Sequence, residues 1–112
     1  MIINYIIDNI SNIEYICNIG RSAQENWDLF DSSNETDLWF HLEDSSSPYV
    51  ILKTNNTNKN KISKNVIKTC AIYCKQYSKL KSSNNVSIIY TEIKNIKKTN
   101  IVGDRKSTRL NS

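Results

Sequence analysis

Five lysines in the second half of this 112-residue chain recur at a spacing that suits one side of a helix. At 100° per residue they fall within a sector of about 60°. They are Lys61, Lys64, Lys68, Lys75 and Lys79. Like charges four residues apart destabilise a helix slightly, so an anionic partner would explain such a row. The spacing predicts contact with nucleic acid phosphates, and a lysine-rich solvent-exposed face without a partner is the alternative.

The distribution of charge along the chain supports the same prediction. The net charge of +4 conceals nine acidic residues and one basic residue in positions 1–52, against eleven lysines and one acid in positions 53–103. Such a separation favours a polyanion for one side of the fold and a different role for the other. Four more basic residues complete the predicted site for the backbone of RNA or DNA: Arg21, Lys94, Lys97 and Lys98.

The only histidine lies in a short acidic and aromatic stretch that could support acid-base or metal chemistry. Asp37, His41 and Glu43 are close in sequence, and His41 and Glu43 share one face of a predicted strand. No second group of ligands accompanies them, and two glycines are too few for a phosphate-binding glycine loop. We therefore expect a structural His41, no enzyme activity and no small-molecule substrate. A metal-dependent enzyme centred on His41 is the less favoured alternative.

Three cysteines, an odd number, show no spacing typical of a disulfide framework. Cys70 and Cys74 lie four residues apart and would share a helix face. We expect small buried apolar side chains in a reducing compartment. The alternative is a metal-binding pair completed by His41. No metal site and no cofactor are predicted.

The apolar residues do not form a membrane span. No apolar stretch approaches the roughly 18 residues that a spanning helix needs, and the sequence Met1-Ile2-Ile3-Asn4-Tyr5 lacks the basic start of a signal peptide. The expectation is a protein without a transmembrane segment, located in the cytoplasm, with the nucleus as the alternative.

Local patterns predict an α+β fold in a single small domain with the order β-β-α-β-β-α-β. We expect a mixed, mainly antiparallel sheet packed with a short helix over about 22–31 and a long amphipathic helix over about 63–80. Ser22 and Glu25 have the spacing of a capping box at the start of the short helix. The apolar arc of the long helix contains Ile62, Val66, Ile67, Cys70, Tyr73, Cys74 and Tyr77.

The predicted strand over residues 37–42 carries large side chains on both faces. Leu38, Phe40 and Leu42 alternate with Trp39 and His41, so the strand should be covered on both sides. Trp39 and Tyr49 could stack on nucleic acid bases, although packing in the core is favoured.

Several short motifs occur in the order found in the NFACT-R domain, the RNA-binding module of the NFACT proteins, and the chain resembles that family over about residues 1–103. Asp37 to His41 matches its Asp-x-Trp-Phe-His signature, and Val86 to Thr91 with the following lysines matches its ending. The layout is similar to that of the small standalone eukaryotic members that contain a coiled coil. The signature positions are Gly20, Arg21, Asn26, Asp37, Trp39, Phe40, His41, Ser46 and Val50.

The resemblance implies nucleic acid binding without catalysis. In the large members of the family, which belong to ribosome-associated quality control, the nucleic acid is bound at the ribosome and tRNA. Peptide tailing would need domains outside this chain. The chain departs from the family pattern at Tyr49, where a histidine is common, and any contact between two family histidines would be altered. A protein-interaction adaptor, acting through its acidic half or through a missing coiled-coil tail, is the alternative function.

The last nine residues, 104–112, differ in composition from the rest and contain two of the three arginines, Arg105 and Arg109. They resemble an in-frame translation of a common sequencing adapter. We therefore expect a domain over residues 1–103 and a native C-terminus that is missing, and a real basic tail is the alternative.

Overall fold

The computed structural model describes residues 1–43 and 45–96 in full and the backbone of residues 108–111. The elements up to β5 follow the predicted order and confirm an α+β domain, and β6 was not predicted. They are β1 (Ile2–Ile7), β2 (Glu14–Ile19), α1 (Ala23–Ser32), β3 (Leu38–Leu42), β4 (Val50–Lys53), α2 (Lys64–Gln76), β5 (Ser87–Glu92) and β6 (Thr108–Asn111), with short 3-10 turns at Lys59–Lys61 and Ile93–Asn95.

The strands form one sheet in the order β1-β2-β4-β3-β5-β6. All pairings between the described strands are antiparallel, so the parallel component allowed by the sequence prediction is not found there. β1 and β2 form a hairpin in which Ile2 pairs with Ile19 and Ile7 with Glu14. β6 belongs to the segment 104–112 that we expect to be non-native, and residues 104–107 and 112 of that segment lie outside the described part.

The two helices cover opposite faces of the sheet, as the alternation in β3 predicts. Leu38, Phe40 and Leu42 are buried with the apolar side of α2. On the other face, Trp39 is buried with Ile51 and with Leu29 of α1. Because adjacent residues of a strand point to opposite faces, β3 contributes to both cores and holds the three layers together.

Helix α2 is shorter than the predicted span of 63–80. It ends at Gln76, and Tyr77 is its C-cap. The hydroxyl of Ser78 donates to the carbonyl of Lys75 at 2.6 Å, and the N–H of Ser78 donates to the same carbonyl at 3.0 Å. A serine that bonds to nearby backbone groups competes with the helix pattern, so the chain turns here. Lys79 therefore lies in the turn after the helix.

Helix α1 begins one residue later than predicted, with Ser22 as the N-cap. The Ser22 hydroxyl accepts the N–H of Glu25 at 3.1 Å, which is half of the expected capping box. The carboxylate of Glu25 instead accepts the N–H of Arg21 at 3.0 Å and pairs with the terminal ammonium of Met1 at 2.8 Å. Glu25 thus ties the start of β1 to the start of α1.

Candidate nucleic-acid interface

Of the five lysines at helical spacing, called here the lysine row, three lie on α2 and two in the turns that flank it. The apolar side of the helix is buried against the sheet through Val66, Cys70 and Cys74, and Ala71, next to Lys64 and Lys75 in helical angle, is buried as well. Lys61, Lys64, Lys68 and Lys79 are exposed and Lys75 is half-buried. Three of the five are helical, Lys61 ends the preceding 3-10 turn, and Lys79 follows the C-cap.

No lysine of the row forms an ion pair with any residue in the described ranges. Elsewhere among the described lysines, ion pairs are formed by Lys53, Lys59 and Lys94. Lys53 pairs with Asp37, and both Lys59 and Lys94 approach Glu92. The charge of the row is therefore uncompensated within this part of the protein, which is what an anion-binding surface requires.

The other predicted basic residues do not join the row. Arg21 is exposed immediately before the N-cap of α1, the helix that covers the opposite face of the sheet. Lys94 lies in the 3-10 turn after β5, with its Nζ 3.8 Å from a carboxylate oxygen of Glu92. Lys97 and Lys98 lie outside the described residues. Of the nine predicted positions, three therefore lie on α2, two flank it, two lie elsewhere and two are outside the described residues.

Several exposed acidic residues lie on the side of α1. Asp28, Asp31 and Glu35 are exposed on this helix and the loop after it. Since α1 and α2 cover opposite faces of the sheet, these three acidic residues and the lysines of α2 lie on opposite faces of the domain. A polyanion is attracted to the α2 face and repelled by the α1 face.

The position of α2 depends on Asp8, which the sequence prediction missed. Its buried carboxylate accepts the N–H of Ser63, the N-cap of α2, at 3.0 Å. It also accepts the N–H groups of Ile10 and Ser11 at 2.8 and 3.0 Å. These hydrogen bonds, of which the one from Ser63 has the largest effect, lower the pKa of Asp8 from 3.8 to about 2. Asp8 thus fixes the β1–β2 turn to the start of the lysine-bearing helix.

The family-signature residue Asp37 has a similar structural role. It is buried, and its Oδ2 accepts the N–H of Asn34 at 2.9 Å and lies 3.3 Å from Nζ of Lys53. Its Oδ1 accepts the N–H of Thr54 at 3.1 Å, and its carbonyl accepts that of Ile93 at 2.9 Å. Asp37 therefore joins the loops that precede β3 and follow β4 and β5. It holds the fold together and is not part of the lysine row.

His41 belongs to a cluster of aromatic rings on the α1 face of the sheet. Its ring stacks on Trp39 with centroids 5.3 Å apart and an interplanar angle of 4°. Tyr49 packs edge-on against both, with its centroid 5.4 Å from Trp39 and 5.7 Å from His41. Trp27 of α1 contacts Tyr49 at 6.2 Å. His41 Nδ1 also lies 2.6 Å from the carbonyl of Leu42.

These contacts bear on two sequence-based expectations. Trp39 is fully buried and cannot stack on a base without unfolding, whereas His41 and Tyr49 are half-buried. Tyr49, the position where the family commonly has histidine, does contact His41 directly. The chain therefore keeps a ring at this position while changing the hydrogen-bonding chemistry of the pair.

The remaining signature positions have structural surroundings. A Cβ on Gly20 would collide with Oδ1 of Asn26, the atom that accepts the N–H of Tyr49 at 3.1 Å. The N–H of Gly20 in turn donates to the carbonyl of Tyr49 at 3.0 Å. Phe40 and Val50 are core residues, and Phe40 stacks on Tyr90. Ser46 is exposed, and its neighbour Ser47 accepts the N–H of Leu42 at 3.0 Å.

The three cysteines lie between α2 and the sheet. Cys17, Cys70 and Cys74 are buried with free thiols, as expected for small apolar residues, and Sγ of Cys70 lies 3.8 Å from Sγ of Cys17. Burial raises the pKa of Cys70 well above its usual value and that of Cys74 to about 12. In the described parts of the chain, no group of three His, Cys, Asp or Glu side chains could hold a metal ion.

Comparison with known proteins identifies the family of this chain. The family model described as the NFACT protein RNA binding domain matches residues 1–105. The chain therefore belongs to the NFACT-R family, a class of nucleic-acid-binding modules.

The curated relatives include coiled-coil domain-containing protein 25 of Bos taurus, 32% identical over 101 residues that cover 88% of this chain and 49% of that protein. They also include the coiled-coil domain-containing protein 25 homolog of Dictyostelium discoideum, 38% identical over 88 residues that cover 77% of this chain and 43% of that protein. This chain thus spans about half the length of the curated relatives it matches or less.

A solved structure has the same fold. It is the C-terminal part of the fibronectin/fibrinogen-binding protein from Streptococcus suis, with a TM-score of 0.74 and 23% identity, covering 96% of this chain and 43% of that one. Within the described part of our chain, the helices are too short or too polar to cross a membrane.

Proposed function

We propose that this chain binds the phosphate backbone of RNA or DNA through the lysine row, without catalysing a reaction on it. The observation that supports the proposal is the lysine row, three lysines on α2 and two in its flanking turns, none of which pairs with a described acidic residue. Lysine is a point charge on a flexible stem, so the row favours backbone contacts over the reading of base sequence.

Counterion release gives this proposal a quantitative signature. Each phosphate that is neutralised contributes about −0.7 to the slope of log K against log salt for a single strand, and about −0.9 for B-form DNA. Five contacts would therefore give a slope of roughly −3.5 to −4.5. Fluorescence anisotropy with a labelled RNA, titrated at several salt concentrations, measures this slope directly.

Charge reversal tests the assignment to the row. The double variant Lys68→Glu with Lys75→Glu should nearly abolish binding at physiological salt, because each reversal removes one attraction and adds one repulsion. For a matched comparison, Lys68→Glu should weaken binding far more than Lys81→Glu, since Lys81 is equally an exposed lysine but lies outside the row. Unchanged far-UV circular dichroism would show that the fold is retained. Equal effects of the two single reversals would refute the assignment.

The identity of the natural ligand is a separate part of the proposal. Family membership supports RNA, and we propose tRNA or ribosomal RNA as the partner in ribosome-associated quality control, with the cytoplasm as the location. Competition between tRNA, single-stranded RNA and duplex DNA at fixed salt would rank the ligands. Co-sedimentation with ribosomes, with and without the Lys68 and Lys75 reversals, would test the ribosomal partner. Equal affinity for all three nucleic acids and no co-sedimentation would limit the function to backbone binding.

The acidic α1 face favours a second candidate function, that of a protein-interaction adaptor. Exposed Asp28 and Glu35 on that side could attract a basic partner protein. A pull-down that survives nuclease treatment, and that is lost on changing Asp28 to Lys, would support the adaptor. A pull-down abolished by nuclease would leave nucleic acid binding as the sufficient explanation.

A further inference from the structure

Strand β1 forms one edge of the sheet, and half of its peptide groups have no strand to bond to among the described residues. The N–H of Asp8 donates to the carbonyl of Ile13 at 2.9 Å, continuing the β1–β2 register. In an antiparallel ladder the residues that bond to a given neighbour alternate. The even-numbered residues of β1 therefore bond to β2, and the N–H and C=O groups of Ile3, Tyr5 and Ile7 point outward.

One of these outward groups is already used. The side-chain amide of Asn65 donates to the carbonyl of Ile7 at 3.1 Å. This contact agrees with the outward direction of the odd-numbered peptide groups, and it closes the edge at its Ile7 end. The N–H and C=O groups of Ile3 and Tyr5 make no hydrogen bond with any other residue in the described part of the chain.

The same strand lacks the features that usually protect a sheet edge. β1 contains no charged residue and no proline. Its outer face exposes Ile3, Tyr5 and Ile7 by 50%, 61% and 59%, and Ile16 of β2 lies beside Tyr5 and is exposed by 38%. Natural proteins commonly guard such edges with lysine, proline or a bulge, because an unguarded edge pairs with other strands.

We propose that two copies of this chain pair antiparallel through β1, about a two-fold axis at Asn4. In this register Ile3 of each copy faces Tyr5 of the other. The outward N–H and C=O groups of these two residues then form four hydrogen bonds, without using the occupied carbonyl of Ile7. The free groups of the edge are thus complementary to themselves, which a two-fold interface requires.

The side chain of Asn4 supports the choice of axis. Its Nδ2 is buried and has no hydrogen-bond partner in the described part of the protein. Pairing about this residue brings a second Asn4 side chain next to it and supplies an amide acceptor. A buried polar group that gains a partner at an interface stabilises one register over others.

A second copy fits this edge better than the nucleic acid does. The strand and its outer face carry no positive charge for phosphates, since β1 is uncharged and the nearest charged residue across the hairpin is Glu14. A neutral strand also meets its own copy without repulsion. The pairing is independent of the nucleic acid function, so failure of either proposal leaves the other standing.

Analytical ultracentrifugation tests the assembly. The chain should sediment at tens of micromolar as a species of twice its 12.9 kDa mass. Tyr5→Pro should be monomeric, because proline removes an outward N–H while leaving the bonds to β2 intact. Tyr5→Thr is the matched control, since it keeps the N–H and a β-forming side chain, and it should still form the dimer. A monomeric wild-type chain at 0.5 mM would overturn the proposal, as would a Tyr5→Pro variant that still dimerises.

Cysteine cross-linking tests the register. In the proposed pair, the two Asn4 residues form a non-hydrogen-bonded pair with Cα atoms about 4.5 Å apart, which a disulfide can span. Asn4→Cys should form a covalent dimer on mild oxidation, whereas Ile2→Cys should not, because Ile2 would face Ile6 of the second copy. Cross-linking of the Ile2 variant alone would contradict this register.

Hydrogen exchange on the unmodified chain covers the case in which a variant fails to fold. The amides of Ile3 and Tyr5 should be protected at high protein concentration and exchange freely on dilution. Exchange that does not depend on concentration would contradict the pairing.

Discussion

Two buried carboxylates, those of Asp37 and Asp8, connect separate segments of the domain, and sequence patterns reveal only one of them. Asp37 lies in a recognisable motif, and its buried carboxylate bonds to backbone groups in two loops. Asp8 lies in no motif, yet it accepts three N–H groups, one of them 55 residues away in Ser63. Proximity in sequence could not reveal that link, because it exists only once β1 and α2 have been brought together.

The low pKa of Asp8 predicts how stability depends on pH. Its carboxyl has a folded pKa of about 2 against an ordinary value of 3.8, so the folded state favours the ionised form. The stabilisation is fully present above about pH 4 and is lost as the pH falls toward 2. The variant Asp8→Asn cannot accept all three bonds in the same way. Its melting temperature should be lower than that of wild type at pH 5, and most of this difference should disappear at pH 2.

Thermal unfolding of wild type and variant between pH 2 and pH 6 measures this difference. Asp28→Asn is the control, because Asp28 is exposed on α1 and does not bind the start of another element. A deficit in the Asp8 variant that is constant across the pH range would contradict the role given to its ionised carboxylate.

At the scale of elements, hydrophobic periodicity was enough to predict which side of a helix or strand is buried. The alternation in β3 predicted that both of its faces are buried, and the apolar arc predicted the buried side of α2. The helix end was wrong by four residues, because the side-chain bond of Ser78 to the Lys75 carbonyl has no periodic signature. The strand order also escaped prediction, since β2 bonds to β4 and not to β3, and local patterns do not specify which strands are neighbours.

The junction between β2, α1 and β4 gives a prediction at this scale. Gly20 allows Asn26 to approach and to accept the N–H of Tyr49, and a Cβ would displace the Asn26 side chain. Gly20→Ala should lower the free energy of unfolding by about 1 to 3 kcal/mol, the usual cost of overpacking. Urea denaturation measures the change.

A double-mutant cycle separates this collision from a general effect of alanine. Asn26→Ala alone loses the bond to Tyr49, and in the double variant the added Cβ of residue 20 no longer meets the side-chain amide of residue 26. The double variant should therefore cost clearly less than the sum of the two single changes. Additive costs would show that Gly20 is needed for another reason.

At the scale of the whole molecule, the sheet separates the lysines of α2 from the exposed acidic residues of α1. Lys64, Lys68 and Lys75 lie on α2, and the acidic side chains of α1 lie across the sheet. Net charge alone could not reveal this arrangement, because +4 is small for a chain of this length. The inference of a polyanion partner depends on how the charges are placed, and that placement came from the helical spacing of the lysines.

Pairing through β1 would change how this surface meets a long nucleic acid. A two-fold axis perpendicular to a continuous sheet keeps both α2 helices on the same side, so the dimer presents two lysine rows to one ligand. A strand long enough to reach both rows gains avidity, commonly 10²-fold or more for linked sites, whereas a short oligonucleotide does not. Wild type should therefore bind a long RNA much more tightly than Tyr5→Pro does, while both bind a short oligonucleotide alike.

Anisotropy titrations with labelled RNAs of increasing length, at one salt concentration, measure this divergence. Tyr5→Thr is again the control, and its affinity should follow that of wild type at every length. If Tyr5→Pro weakened binding to short and long RNA equally, Tyr5 would be acting in the binding site itself and not through the dimer. If all three proteins gave the same length dependence, one lysine row would be the complete binding unit and the second row would contribute nothing.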